Sequence, residues 1–401
     1  MRIVVAHNSY QQRGGEDGCV AAEVAMLRSH GHEVIQYTIS NDEIDSMPRL
    51  TLAARTIWSG ASYSAMRTLF RNVSPDVVHF HNTFPLISPA AYYAARREGV
   101  AVVQTLHNHR LLCCNAILFR EGQVCRDCVG KAVPWRGVVR GCYRGSRVTS
   151  LGVASMIGMH KAAGTWRHAV DLYIALSQSS RANFIEAGFA EDKIAVKPHF
   201  VFPDPGMGPG GGRYCLYVGR LSEEKGLLTL VRAWQQLGGP MRLAIAGDGP
   251  MLPAVQAAAA ENASIQLLGA CSQDAVYDLI GQAELLIAPS ECHETFGRVV
   301  AEAFAKGTPV VAARIGALAE LVEDGRNGRL FEPGNAHDLA QKVQGLIGDA
   351  DQLRHMREAA RRTFERDFTA DSNHATLVRL YRRAAASMRT ASPRRRLGPI
   401  A

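Results

Sequence analysis

Two glutamates, Glu294 and Glu302, stand eight residues apart in P-S-E-C-H-E-T-F-G-R-V-V-A-E-A-F-A-K-G-T-P-V-V, residues 289–311. An apolar run ends at Ala288, and a polar turn carrying Glu291, His293 and Glu294 follows. Val299, Val300, Ala303 and Phe304 then recur at helical spacing. Eight residues of helix rise about 12 Å, so one carboxylate lies at the helix mouth and the other about two turns inside. A helix mouth exposes N–H groups and the positive end of the dipole, which suits an anion. A ligand with phosphate in its middle and hydroxyls at both ends fits this layout, and a nucleotide sugar is such a ligand. A surface helix with two unrelated glutamates is the plainer alternative, and the pair alone leaves it open.

Other residues could serve the same chemistry. G-R-L-S-E-E-K-G, residues 219–226, follows the apolar run Tyr214–Val218 and carries Arg220 and Lys225. A surface ion-pair loop is the alternative. His81-Asn82 and His107-Asn108-His109-Arg110 each follow a predicted strand, where open sheets place their ligands. A satisfied loop histidine competes with that reading. Gly14-Gly15 sits between a strand and a helix and permits backbone to approach a phosphate. No G-x-G-x-x-G is present, so a dinucleotide cofactor is not supported.

E-T-F-G-R-V-V-A-E-A-F-A-K-G-T-P-V-V resembles the E-x7-E signature of retaining nucleotide-sugar glycosyltransferases with two Rossmann-like domains, the GT-B type. It is similar to the family 4-like group that includes bacterial surface-polysaccharide enzymes. The resemblance implies that Glu294 faces the donor sugar and Glu302 holds the ribose hydroxyls. The backbone amides of Phe296 and Gly297 would approach sugar and phosphates. Gly219-Arg220 and Lys225 match the element that neutralises the donor's diphosphate. Gly249, in A-G-D-G-P, matches a turn near the nucleotide, and Leu268 the apolar contact of the base. His107 matches a histidine pointed at the donor sugar, and the Gly14-Gly15 loop one that closes over the donor. Ala317 stands where most relatives carry a glycine, which puts that donor contact in doubt.

These residues need elements to hold them. At 401 residues, two domains of about 200 are expected. Strand and helix patterns alternate in both halves. The expected fold is therefore α/β, two Rossmann-like doubly wound parallel sheets, and the resemblance implies that they face a cleft. The first domain is expected over residues 1–203 and the second over 213–371, with a last helix and basic tail over 372–401 returning to the first. The Pro- and Gly-rich stretch from Phe202 to Arg213 reads as the join. Asp349-Ala350-Asp351 lies between two predicted helices and reads as a cap rather than a metal site. A catalytic cofactor is not expected.

A cysteine-rich insertion spans about 110–150. Cys125-Arg-Asp-Cys128 has knuckle spacing, and Cys113 or Cys114 with Cys142 would complete a tetrahedral set. A structural zinc on Cys113, Cys125, Cys128 and Cys142, an iron–sulfur cluster and free thiols all remain open. Nine cysteines and no signal-peptide pattern point to a cytoplasmic protein without a disulfide framework. No apolar run reaches a membrane span. A formal charge of +8 favours anionic partners. No nucleic-acid-binding motif is present. Peripheral contact with the anionic inner membrane face is the alternative for the arginines around Leu50–Phe70 and for the tail bearing Arg394, Arg395 and Arg396.

The expected function is retaining transfer of a hexose from a UDP- or GDP-linked sugar to a saccharide or lipid-linked saccharide. The alternatives are transfer to a small soluble metabolite, a non-catalytic sugar-nucleotide binder of the same fold, and a nucleotide-sugar epimerase.

Overall fold

Short apolar runs alternate with helices twice along the chain, and each series closes into its own parallel sheet. A computed structural model describes residues 1–11, 14–239 and 241–390. The first unit comprises Met1–Ile117, Arg126–Lys197 and the chain from His374 on; the second comprises Leu118–Cys125 and Pro198–Asn373. The tail arginines Arg394, Arg395 and Arg396 lie outside the described residues.

The first unit holds strands β1 (Arg2–Ser9), β2 (Glu33–Ser40), β3 (Val77–Asn82) and β4 (Ala101–Thr105). A two-residue hairpin, β5 (Phe119–Arg120) with β6 (Gln123–Val124), groups with the second unit. β7 (Leu172–Ala175) and β8 (Ile194–Val196) complete the first sheet, in the order β2-β1-β3-β4-β7-β8. The second sheet contains β9 (Tyr214–Val218), β10 (Arg242–Ala246), β11 (Ile265–Gly269), β12 (Leu285–Ala288), β13 (Val310–Ala313) and β14 (Gly328–Phe331). Its order is β11-β10-β9-β12-β13-β14. Every residue of β3, β4, β7, β12 and β13 is buried. Such strands are covered on both faces, which is why they read as continuous apolar runs rather than alternating ones.

Polar strand ends were harder to read. Polar residues such as His7 and Asn8 would ordinarily suggest a loop, yet β1 runs on to Ser9, and a helix occupies Gly15–Ser29. Likewise β3 continues through His81 and Asn82 instead of stopping at Phe80. The reason is internal pairing of buried polar groups. Asn8 donates from Nδ2 to Asn41 Oδ1 at 2.6 Å, and its Oδ1 accepts from the Leu86 amide at 2.8 Å. Asn82 Nδ2 donates to the Asn8 carbonyl at 2.9 Å.

Helix ends have local causes. A helix begins at Arg147, capped by Ser146, and ends at Ala162, before Gly164 and a short turn Thr165–His168. Gly164 has φ +67°, which ends helical continuity. The last helix spans Ala370–Thr390. Asp349 caps Ala350–Asp367, accepting from the Gln352 amide at 2.8 Å. The Pro- and Gly-rich stretch after Lys197 is pinned along the second unit. The amides of Gly208, Gly210 and Gly212 donate to Lys306, Gly281 and Gln282 carbonyls at 2.8–2.9 Å. Backbone pairing without side chains explains its composition, because a Cβ on Gly208 would lie 2.3 Å from Gly281 Cα.

Candidate functional site

In the second unit the loops at the carboxyl ends of β9, β10 and β12 are laced together. The Gly219 amide donates to the Ala246 carbonyl at 3.0 Å, and Leu221 to Asp248 at 2.8 Å. The Glu291 amide donates to Glu224, and Thr229 Oγ1 donates to Glu291 Oε1 at 2.6 Å. Two glycines make the lacing geometrically feasible. A Cβ on Gly226 (φ +70°) would stand 1.9 Å from the Pro289 carbonyl oxygen, and one on Gly249 (φ +154°) 2.5 Å from that of Leu221. The G-x-x-x-x-x-x-G and A-G-D-G-P turns thus exist so that three loops can touch.

That contact brings Lys225 and Glu294 together. Lys225 Nζ lies 2.8 Å from Glu294 Oε1, and Ser290 Oγ donates to the same oxygen. Burial disfavours the Lys225 charge, but the Glu294 carboxylate outweighs it and holds the ammonium above the ordinary lysine range. Burial would equally raise the Glu294 carboxyl, yet Lys225 and Ser290 keep it below its usual value. The pair is therefore charged at neutral pH. Arg220 is exposed on the same loop. The Tyr217 hydroxyl donates to its carbonyl at 2.8 Å, holding the backbone while leaving the guanidinium toward solvent.

Glu302 is buried on the helix Arg298–Ala305, and its charge is not matched by Lys225. Arg298 Nε lies 3.0 Å from Glu302 Oε1, and Gln273 Nε2 donates to that oxygen at 3.1 Å. Burial pushes its carboxyl up, against both partners. Arg298, Gln273 and Ser290 were not singled out from sequence. Only the i,i+4 spacing of Arg298 and Glu302 could have signalled one of them. Gly297 precedes the helix with φ +91°. The Phe296 side chain is buried against His199 and Phe368, at ring distances of 5.3 and 5.9 Å, so only its backbone can face a ligand. Leu268, in β11, is half-buried. Ala317 is fully buried in the helix Gly316–Leu321.

In the first unit His107 follows β4. Its Nε2 lies 2.9 Å from His81 Nδ1, the two rings stacked at 5.1 Å. Both line a small cleft of about 40 Å³ with Asn82, Phe84, Gln104 and Arg110. Beneath them lies a buried polar cluster that sequence reading missed. Glu23 Oε1 is 2.8 Å from His79 Nδ1 and 3.2 Å from His81 Nε2, and Oε2 is 3.4 Å from Lys197 Nζ. His79 also contacts the Tyr381 hydroxyl at 2.8 Å and Thr105 Oγ1 at 2.7 Å. Burial would raise the Glu23 carboxyl, but His79 and then Lys197 hold it well below the usual range. Burial and then His79 push His81 down to about 4, against the pull of Glu23, so it is neutral at pH 7. Among the described residues, only Glu23, His79 and His81 bring three potential ligand atoms within 4.8 Å of one another. The Lys197 ammonium already neutralises that carboxylate, so the group reads as an ion-pair network rather than a cation site. His109 is buried beside Asn183 and Phe184 and belongs to the packing.

Gly14 is the residue before the helix Gly15–Ser29, and its amide donates to Asp17 Oδ2 at 2.9 Å. A Cβ on Gly14 or Gly15 would meet nothing within 4 Å, so packing does not demand glycine there. Between β4 and the helix Arg147–Ala162, regular structure is limited to the β5–β6 hairpin and the helix Trp135–Val139. Cys114 is buried at its centre. The thiols of Cys113, Cys128 and Cys142 act on it through space, and a Cβ on Gly137 would lie 2.8 Å from Cys114 Sγ and 3.8 Å from Cys128 Sγ. Cys113 Sγ contacts Asn115 Oδ1 at 2.9 Å, and the Cys125 amide closes the hairpin onto Leu118. The cysteines gather around Cys114, which the four-ligand set omitted. They stand looser than the 4.8 Å grouping seen at Glu23.

Residues 19–204 match the family model described as Glycosyltransferase Family 4, and residues 208–363 match Glycosyl transferases group 1. Over 142 residues the chain is 34% identical to an uncharacterized glycosyltransferase of Methanocaldococcus jannaschii, covering 35% of this chain and 40% of that protein. It is 24% identical to a phosphatidyl-myo-inositol mannosyltransferase of Mycolicibacterium smegmatis, over 95% of this chain and 93% of that one. The relatives matched at 30% identity or more are spanned for less than half of their own length. The fold matches a crystal structure of Anabaena HepE in complex with UDP, with a TM-score of 0.65 at 20% identity over 95% and 99% of the two chains. The two family models together take in most of both units, and the chain belongs to the GT-B glycosyltransferases, with a family 4 first part and a group 1 second part.

Proposed function

We propose that this chain is a retaining glycosyltransferase that moves a hexose from a UDP- or GDP-linked donor to a hydroxyl of a saccharide or lipid-linked saccharide. The observation that carries this reading is the Lys225–Glu294 pair at the carboxyl end of the second sheet, with Glu302 deeper on the following helix. In the reaction the bond from the anomeric carbon to the diphosphate oxygen breaks, and a bond to the acceptor oxygen forms. The departing phosphate takes the acceptor's proton. Lys225 and Arg220 meet the charge that gathers on the diphosphate. Glu302 accepts from the ribose hydroxyls in exchange for its resting contacts with Arg298 and Gln273. His107 is assigned to a hydroxyl of the donor sugar. The test is a binding and turnover screen across UDP, GDP, ADP and TDP sugars with saccharide acceptors. Tight binding of a donor with neither transfer nor slow hydrolysis would replace the enzyme with a binding protein.

Glu302→Ala should raise the donor KM about 10- to 100-fold, the usual cost of losing hydrogen bonds to a charged group, and change kcat little. Steady-state kinetics at saturating acceptor decides this; an unchanged KM removes Glu302 from the ribose site.

The cysteines have a structural part in this reading, one zinc ion held by thiolates of the Cys113–Cys142 stretch. Thiolates are the donors zinc prefers, and a metal would staple a stretch with little regular structure. Elemental analysis of protein purified under reducing, metal-replete conditions should find about one equivalent of zinc. A content near zero ends that part of the proposal.

A further inference from the structure

Three of the arginines around Leu50–Phe70 already have partners at or near the surface. Arg67 and Arg71 both pair with Glu98, at 2.6 and 3.0 Å, and Arg55 donates to the Leu86 carbonyl at 3.2 Å. Leu50 and Trp58 are exposed in that stretch, at 87% and 41%, and a longer apolar face lies on another helix of the first unit. On the helix Arg147–Ala162, Val148, Leu151 and Met159 are 72%, 54% and 56% exposed. With Ser155 between them they follow steps of three and four, which is one helix face. The opposite face, with Val153, Ala154, Met156 and Ile157, is buried in the core. The neighbouring helix Trp135–Val139 adds Trp135 and Val139 at 56% and 55%. The two helices touch: Val133, just before the second, would lie 2.8 Å from a Cβ on Gly158.

The stretch of chain that builds this surface is one-sided in charge. Between Asp127 and Asp171 the chain has no acidic residue and seven lysines and arginines. Asp127 pairs with Arg136 and Arg140, which partly neutralises those two. Arg144 and Arg147 are exposed at the start of the apolar face, and Arg144 lies 5.6 Å over the Tyr143 ring. An apolar stripe with a tryptophan beside it and arginines at its border suits the boundary between lipid headgroups and acyl chains. No described helix is long and apolar enough to cross a membrane, so the contact would be one of lying on the surface.

We propose that the face formed by the helices Trp135–Val139 and Arg147–Ala162 docks this protein on an anionic lipid bilayer. Val148, Leu151, Met159, Val139 and Trp135 enter the headgroup boundary, and Arg144 and Arg147 pair with lipid phosphates. The inference is independent of the transfer reading, since it needs neither donor nor acceptor.

The test is co-sedimentation of the full chain with vesicles of phosphatidylcholine alone or with about 30% phosphatidylglycerol, at about 0.15 M salt where surface charge is screened beyond about 8 Å. Wild type should sediment with the anionic vesicles and leave the neutral ones. Val148→Ser/Leu151→Ser should lower the bound affinity at least about tenfold, and Arg144→Gln/Arg147→Gln about thirtyfold, at about fivefold per charge. Both pairs are exposed, so the thermal midpoint should stay within a few degrees of wild type. If either pair fails to fold, Met159→Ser and Val139→Ser are read in its place. Absence of wild-type binding to anionic vesicles overturns the proposal. So does binding that survives Val148→Ser/Leu151→Ser but disappears in Arg394→Gln/Arg395→Gln/Arg396→Gln. A dimer that Val148→Ser/Leu151→Ser dissociates, without vesicle binding, overturns it in favour of a contact between copies.

Discussion

Lys225→Ala should lower kcat by about 10²- to 10³-fold while donor affinity falls far less. That is the usual cost of removing one preorganised group aimed at developing charge. Lys225 is the right group to lose because the fold holds it in place: Gly226 lets its loop lie on Pro289, and Glu294 grips its ammonium at 2.8 Å. The expected split between kcat and donor affinity follows from timing. The donor diphosphate is already charged in the ground state, but it gains charge only as the glycosidic bond breaks. Arg220→Ala should cost less, because Arg220 is exposed and bulk water screens it. Steady-state kinetics with a donor found by the screen, together with donor binding by calorimetry, measures both. A kcat within threefold of wild type would remove Lys225 from the leaving-group role.

Lys197→Met should destabilise the first unit by about 3–5 kcal/mol, the range for stranding one partner of a buried ion pair. The Glu23 and Lys197 side chains are only 5% and 2% exposed, so water cannot replace the lost partner. Urea unfolding should show the loss as a lower midpoint at unchanged slope. Lys197→Met/Glu23→Gln should recover most of it, because the stranded charge is then gone. The pH dependence has a definite sign. Wild-type Glu23 is held below its ordinary value, so its contribution is present above about pH 4.3 and is lost only as pH falls through the lower folded value. In the variant, burial is less opposed and the carboxyl rises. Protonation then relieves the stranded charge, and the deficit should narrow as pH falls from 7 toward 4. A deficit that widens on acidification would show that Lys197 is not what holds the Glu23 charge.

Much of the second unit could be read from its residues. The strand ending at Ala288, the polar turn, the helix near Arg298 and the strand beginning near Val310 form a local sequence of signals, and the structure contains all four. The helix Ala336–Ile347 likewise has local causes, since Asn335 caps it and an apolar stripe runs through it. Local elements are legible because their causes are local: caps, periodicity and glycine turns act within a few residues. The first unit was less legible where polar residues are buried. His7, Asn8, His81 and Asn82 read as loop, yet they are strand, since Asn8 is paired with Asn41 and Leu86, and Asn82 with Asn8. No window of sequence contains both members of such a pair.

Residue types and spacing pointed to two parallel α/β sheets, and the resemblance to a glycosyltransferase signature was needed to group Glu294, Glu302, Arg220 and Lys225 into one expected chemistry. Residue types alone determined a basic, acid-free segment between Asp127 and Asp171. Tertiary structure alone decided which charges neutralise each other. Lys225 takes Glu294 across 69 residues, Glu23 takes Lys197 across 174, and Glu302 is left to Arg298 and Gln273. It also decided that the apolar stripe of Arg147–Ala162 faces water rather than the core. Coulombic energy and burial depend on distance and dielectric in the folded chain, and neither is a property of any residue taken in order along it.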